Sequence, residues 1–207
     1  MAPLGVGTGR GPIVGLSTHA ARAYAFASAL VIASALWILP AQAGFEKTKP
    51  FPALDEFRIG VFDHNVETQD DEEGVDVNVE LLFGRPNIHT GRPIIDHFLT
   101  PRPHIGGSIN TAGDTSQFYF GFTWDYRLTD RLFFESSFGG AVHDGPLDQN
   151  GKSYGCTLNF RESASLGFAI SERTRIIATI DHMSNADICD RNSGLTNAGV
   201  RLGYKLN

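Results

Sequence analysis

The chain is poor in the ingredients of several common architectures. It has 2 cysteines and 2 methionines in 207 residues. Two cysteines exclude a disulfide-dense scaffold and a zinc site built from four thiolates. Bases are outnumbered, 17 against 23 acids, for a net charge of −6, which disfavours a general nucleic-acid-binding role. The mean hydropathy of −0.12 is far too low for a bundle of membrane helices. Stripes of apolar residues at i, i+3 and i+4 are missing over any useful length. So are a phosphate-cradling glycine loop, a dinucleotide fingerprint after a strand, and a zinc-ligand spacing, and no cofactor is expected. His64, His89, His97, His104 and His143 have no such spacing among themselves and read as polar loop or lumen residues.

Aromatic and small residues are abundant: 15 phenylalanines, 11% aromatics overall, 23 glycines and 10 prolines. A disordered chain would be poor in aromatics. The one long apolar run, residues 23–39, follows Arg22 and is closed by Pro40 and the small-residue site Ala41-Gln42-Ala43. Residues 1–43 therefore read as a secretory signal peptide cleaved after Ala43. The alternative is an uncleaved anchor, since such a run nearly spans a bilayer. Residues 44–207 then form a single domain with all 23 acids and 15 of the 17 bases, a net charge of −8. In an oxidising compartment outside the cytoplasm, Cys156 and Cys189 are able to form a disulfide.

After Ala43 the dominant signal is alternation with period two, the mark of β-strands. From Gln117 to Leu128, Phe118, Phe120, Phe122, Trp124, Tyr126 and Leu128 share one face, and Gln117, Tyr119, Gly121, Thr123, Asp125 and Arg127 the other. The pattern recurs around 57–62, 75–83, 104–110, 132–142, 158–170, 175–181 and 199–206. One face of each run is greasy. The other collects mixed charges: Arg58, Asp76, Glu80, Asp125, Arg127, Glu135, Arg161, Asp181, Arg201 and Lys205. A water-soluble barrel would put its greasy face inside. Charges inside and aromatics outside describe a small outer-membrane barrel with a salt-bridged lumen. The predicted fold is thus all-β, an eight-stranded antiparallel transmembrane β-barrel.

Connection lengths set its orientation. Thr129-Asp130 and residues 171–174 are tight turns, expected on the periplasmic side. Residues 65–74, 111–116, 144–155 and 185–197 are longer and polar, expected outside. The acidic run Asp70-Asp71-Glu72-Glu73 reads as a solvated part of that outer surface, with weak divalent-cation binding as the alternative. Cys156 and Cys189 fall at the outer end on neighbouring strands or loops, where a disulfide is expected. Residues 84–102 form a long connection where a short turn is due, with a plug or an interfacial loop as the two readings.

Chemistry is concentrated where the seventh strand ends, in Asp181-His182-Met183-Ser184-Asn185-Ala186. Residues i and i+2 share a strand face, so His182 and Ser184 lie together on the lipid side. An imidazole beside a hydroxyl is what nucleophilic catalysis requires, because the imidazole must take the hydroxyl proton.

The stretch HMSNADICDRNSGL on the last hairpin of an eight-stranded barrel resembles the outer-membrane lipid A 3-O-deacylases, the PagL family of acyloxyacyl hydrolases, whose motif is H-x-S-N-A followed by a loop and the closing strand. The segments Arg102-Pro103-His104-Ile105-Gly106-Gly107 and Gly113-Asp114-Thr115-Ser116 are also similar to relatives in this group. The resemblance implies an enzyme without a cofactor in the bacterial outer membrane. Its substrate would be lipid A, the lipid anchor of lipopolysaccharide in the outer leaflet, and it would hydrolyse the ester-linked acyl chain at the 3-position. It also implies Ser184 as nucleophile, His182 as base and Asn185 in the oxyanion hole. The family's acid, a Glu twelve residues after the Ser, is Thr196 here.

Strand bookkeeping offers a substitute. Glu162 is the only charge on the outward face of the sixth strand, and the turn at 171–174 sets residue 162 opposite 182 or 184. Directly opposed side chains are about 5 Å apart, so Glu162 is the candidate acid, against a plain rim carboxylate. Asp187 and Asp190 are weaker candidates, and Asp181 points into the lumen. The alternative function is a non-catalytic small barrel with a structural, adhesive or lipid-binding role.

Overall fold

A computed structural model describes residues 48–67 and 72–206 of the chain. The expected signal segment 1–43, and Asp70 and Asp71 of the acidic run, lie outside the described residues. Eight strands, β1 (Leu54–Asp63), β2 (Val75–Phe83), β3 (Arg102–Asn110), β4 (Gln117–Arg127), β5 (Leu132–His143), β6 (Leu158–Ala169), β7 (Thr174–Ser184) and β8 (Leu195–Lys205), close into an antiparallel barrel in sequence order. The last strand pairs with the first, from Glu56 opposite Lys205 to Asp63 opposite Ala198. No sheet edge is left open, as spanning a bilayer demands.

Alternation places the side chains as expected. Phe118, Phe120, Phe122, Phe138, Leu166, Ile176 and Val200 face outward and are exposed to the surrounding lipid. Inside, charge is buried and paired. Arg58 donates Nε to Glu56 (2.7 Å), grips Glu135 with both terminal nitrogens (2.8 and 2.7 Å) and reaches Glu80 at 3.2 Å. Arg201 pairs with Glu80 at 2.8 Å, Arg161 with Asp181 at 3.1 Å, and Arg102 with Asp55 at 2.8 Å. A lone buried charge would cost several kcal/mol; here each guanidinium has a carboxylate within reach. Arg127 differs from its expected lumen place. It is exposed at the end of β4 and donates to the Asp130 carbonyl across the turn.

The two tight turns are built alike. The Thr129 hydroxyl accepts from the N–H groups of Arg131 and Leu132, and the Ser171 hydroxyl from those of Arg173 and Thr174. Such side-chain acceptors hold a short reversal closed. Residues 84–101 form the third connection at this end. They carry the one short helix among the described residues, α1 (Pro93–Leu99), which alternation analysis did not anticipate. At the other end β8 starts at Leu195, so the last outer loop is shorter than expected. Thr196 and Asn197 are strand residues as a result.

The outer end is capped by a polar cluster. His64 lies between Asp76 (Nδ1, 3.0 Å) and Glu72 (Nε2, 3.2 Å). Glu72 also accepts from the Thr115 hydroxyl (2.6 Å) and the Tyr154 hydroxyl. Glu72 is therefore buried, contrary to its expected place in a solvated acidic loop. Burial opposes the charge on His64, but its two carboxylate partners outweigh it and raise the imidazole pKa to about 9. Burial likewise pushes Glu72 up, and His64, Thr115 and Tyr154 bring it below the ordinary glutamate value. A disulfide joins Cys156 to Cys189, with Cα atoms 6.0 Å apart.

Candidate active site

The site is assembled from three adjacent strands at the outer end of the barrel. Across β6, β7 and β8, Glu162 lies opposite His182 and His182 opposite Thr196. One residue pair further out, Phe160 faces Ser184. All of these side chains except the buried Thr196 are open or half-open on the outward face. The imidazole is thus flanked by a carboxylate on one strand and a hydroxyl on the other.

His182 Nδ1 is 2.7 Å from the Thr196 hydroxyl. With Nδ1–H donating to that oxygen, Nε2 is the bare nitrogen, the tautomer a general base needs. A hydroxyl is able to accept from Nδ1–H in this tautomer, but it brings no negative charge to offset an imidazolium. Glu162 is the one carboxylate directly opposite the ring, and it makes no hydrogen bond to it in this arrangement. Asp181 points inward and pairs with Arg161. Asp187 accepts from the Asn192 amide at 3.1 Å on the exposed loop, and Asp190 is exposed.

Two local features fix the geometry. Gly194, with φ of +70°, sits against the imidazole, and a Cβ there would lie 3.0 Å from His182 Cε1. Immediately after Ser184 the chain reverses, with Ile188 N–H donating to the Asn185 carbonyl at 3.1 Å. Ala186 (φ 54°) and Asp187 (φ 61°) both adopt the left-handed region. This is unfavourable for alanine, and such backbone clusters at functional sites.

Asn185 is buried and fully engaged. Its side-chain amide donates to the carbonyls of Tyr154 (2.7 Å) and Arg191 (2.5 Å). Its backbone N–H donates to Asn192 Oδ1 at 3.0 Å. The expected oxyanion donor thus has no side-chain hydrogen to spare; its amide ties the loop after Ser184 to the one that carries Cys156. Gly155 belongs to the same clasp. A Cβ there would lie 2.1 Å from the Arg191 carbonyl oxygen, at a φ of +73°.

The placement of His182 and Ser184 on one outward face, with Glu162 on the neighbouring strand, was readable from alternation. Thr196 as the partner of Nδ1, Gly194 against the ring, and Tyr154, Arg191 and Asn192 around Asn185 were not. For Thr196 a signal existed: its place twelve residues after Ser184.

The comparisons agree with this architecture. A family model described as Lipid A 3-O-deacylase (PagL) matches residues 82–205. Among solved structures, the crystal structure of the outer membrane enzyme PagL superposes with a TM-score of 0.54 at 17% identity, covering 73% of this chain and 99% of that one. A set of de novo designed transmembrane β-barrels superposes at 0.50 with 12% identity, covering 78% and 100%. No curated protein sequence matches the chain. With the closed eight-stranded barrel and a family match over more than half its length, this outer-membrane chain belongs to the lipid A 3-O-deacylase (PagL) family.

Proposed function

We propose that the protein is an outer-membrane esterase that removes the 3-position acyl chain of lipid A by a Ser184–His182 mechanism. The observation that carries this reading is the row Glu162, His182, Thr196 beside Ser184, on the lipid-facing side of three neighbouring strands. A soluble hydrolase would bury such a group in a cleft. A lipid with its ester at the membrane interface is met by a nucleophile at the outer rim of the apolar belt.

The chemistry follows from the groups. Ser184 Oγ attacks the ester carbonyl as His182 Nε2 takes its proton. The tetrahedral oxyanion is steadied by a backbone N–H of the turn after Ser184 other than those of Asn185 and Ile188, which are already engaged. Asn185 serves by holding that turn in place, a change from the direct role its motif position implies. His182 returns the proton to the leaving alkoxide, and a water then hydrolyses the acyl-serine by the reverse sequence. Thr196 orients the ring, and Glu162 supplies the negative charge that the imidazolium requires. The hydrolysis needs no cofactor.

Export by the segment 1–43, with a mature chain from Gly44, belongs to this reading. So does a functional Cys156–Cys189 bridge, which staples the Asn185 loop.

The test is the lipid A of a host without such an enzyme, analysed by mass spectrometry. Wild type should remove one acyl chain, and Ser184→Ala should leave lipid A intact. An active Ser184→Ala variant would overturn the nucleophile. The loss of the family's glutamate to Thr196 favours the second reading, a non-catalytic lipid-binding barrel. Folded wild type that leaves lipid A unchanged would establish it.

A further inference from the structure

The connection 84–101 carries an apolar surface that the barrel does not use. None of the residues of α1 is buried. Ile94 is 86% exposed and Phe98 69%. They are four apart, so they share one side of the helix. Leu99 and Ile88 add to the exposed apolar area. In water, such a patch on a seven-residue helix would be a liability.

Its position gives it a partner. The Phe98 ring stacks on Trp124 (centroids 5.9 Å), and the Trp124 indole N–H donates to the Phe98 carbonyl at 3.0 Å. His97 packs on Tyr126 at 4.6 Å. Trp124 and Tyr126 continue the outward face of Phe118, Phe120 and Phe122, at the tight-turn end of β4. The helix therefore lies against the outside of the barrel wall, directly below the apolar belt. At its base, Arg85 is clamped between the Thr100 carbonyl and lumen-facing Asp125. The polar side is settled internally: Asp96 accepts from both the N–H and the hydroxyl of Thr90, each at 2.6 Å. What remains facing outward is Ile94 and Phe98, continuous with the lipid-contacting belt.

We infer that α1 is an interfacial anchor whose Ile94 and Phe98 insert into the acyl–headgroup boundary of the periplasmic leaflet. Trp and Tyr at that level match the aromatic girdle of outer-membrane barrels. The anchor also has a consequence for depth. β7 has 11 residues, which at about 3.3 Å each and a tilt of about 40° rise roughly 27 Å, close to the height of the apolar band. Fixing one end in the inner interface sets Ser184, at the far end of β7, at the outer interface. The inference rests on the outer-membrane location and not on the chemistry at Ser184, so either can fail without the other.

Nitroxide labelling in phosphatidylethanolamine–phosphatidylglycerol vesicles tests it. Single variants Ile94→Cys and Phe98→Cys are compared with Phe120→Cys in the belt and Asn87→Cys on the polar part of the loop. Collision with membrane-dissolved oxygen, relative to a water-soluble nickel chelate, should be several-fold higher at 94 and 98 than at 87, and lower than at 120. Ratios at 94 and 98 equal to that at 87 overturn the inference. So does dipolar broadening that disappears on dilution with unlabelled protein, which would make a second copy the occupant. If Phe98→Cys fails to fold for want of its stacking on Trp124, Ile94→Cys decides alone.

Discussion

The assignment of Glu162 as counter-charge can be tested by removing its charge and restoring the family's carboxylate. Glu162→Gln keeps the shape and removes the charge opposite His182. Directly opposed side chains on neighbouring strands are about 5 Å apart. At that separation a carboxylate stabilises an imidazolium by about 3 kcal/mol at an effective dielectric near 20, and by about 1 kcal/mol at that of water. Glu162 lies exposed at the outer rim of the barrel face, next to headgroup water, and these two dielectrics bracket the value. The predicted loss of turnover is roughly 5- to 150-fold, since about 1.4 kcal/mol corresponds to tenfold. The reciprocal variant Thr196→Glu places the acid at Nδ1. Exchanging a neutral acceptor for a charged one strengthens that hydrogen bond by about 1–2 kcal/mol.

The two changes must couple if both act on one imidazolium. In the Glu162→Gln background, Thr196→Glu should recover most of the lost rate. In the wild-type background it should gain less, because the charge is already partly offset. Ester release from lipid A, followed in mixed micelles on barrels verified by heat-modifiable migration, measures all four rates. Wild-type turnover in Glu162→Gln, with equal effects of Thr196→Glu in both backgrounds, refutes the role of Glu162. Asp187→Asn and Asp190→Asn should leave the rate within twofold.

Three further outcomes are expected. Gly194→Ala forces a side chain into positive φ and against His182 Cε1, so if about 1–2 kcal/mol of strain is relieved by displacing the ring, the hydrolysis rate should fall roughly 5- to 30-fold, while heat-modifiable migration stays intact; an unchanged rate contradicts the placement of the ring. The His64 clasp is pH-dependent: its imidazole is raised from 6.5 to about 9, so its stabilisation is fully present below pH 6.5 and is lost as pH rises through 9. Proteolysis of the outer loops should accelerate across that interval, His64→Gln should abolish this dependence, and an imidazole resonance titrating at or below 6.5 rejects it. Replacing Cys156 and Cys189 by serine opens a bridge spanning 33 residues, worth up to about 3–4 kcal/mol of loop entropy; calorimetry should show a lower thermal midpoint, and an unchanged one denies the bridge a stabilising role.

The barrel was legible because a lipid environment leaves an unusually pure signal. With apolar solvent outside and paired charges inside, the outward face from Phe118 to Tyr126 is apolar throughout, and one tight turn left only 182 or 184 opposite Glu162, of which the sheet pairs His182. Legibility failed where long-range contacts, and not periodicity, decide structure. Glu72 reads as one more acid in a solvated run; only the closure of the barrel brings His64, Thr115 and Tyr154 around it. Asn185 reads as a catalytic donor because it follows the serine, yet its amide is held by carbonyls from two loops. Thr196 reads as a loop residue because small and polar residues, Thr-Asn-Ala-Gly, blur the start of β8, whose alternation becomes readable only near Val200. The same local composition explains both the misplaced boundary and the site. A strand that begins with Leu195 and Thr196 puts a hydroxyl against His182, and the preceding Gly194 leaves the imidazole room. Where the resemblance implies a glutamate, the backbone delivers another hydrogen-bonding oxygen, that of Thr196. In the proposed mechanism, orientation of the imidazole and compensation of its charge, which one glutamate could perform together, fall to Thr196 and Glu162 on opposite sides of the ring, and that division is what their variants separate.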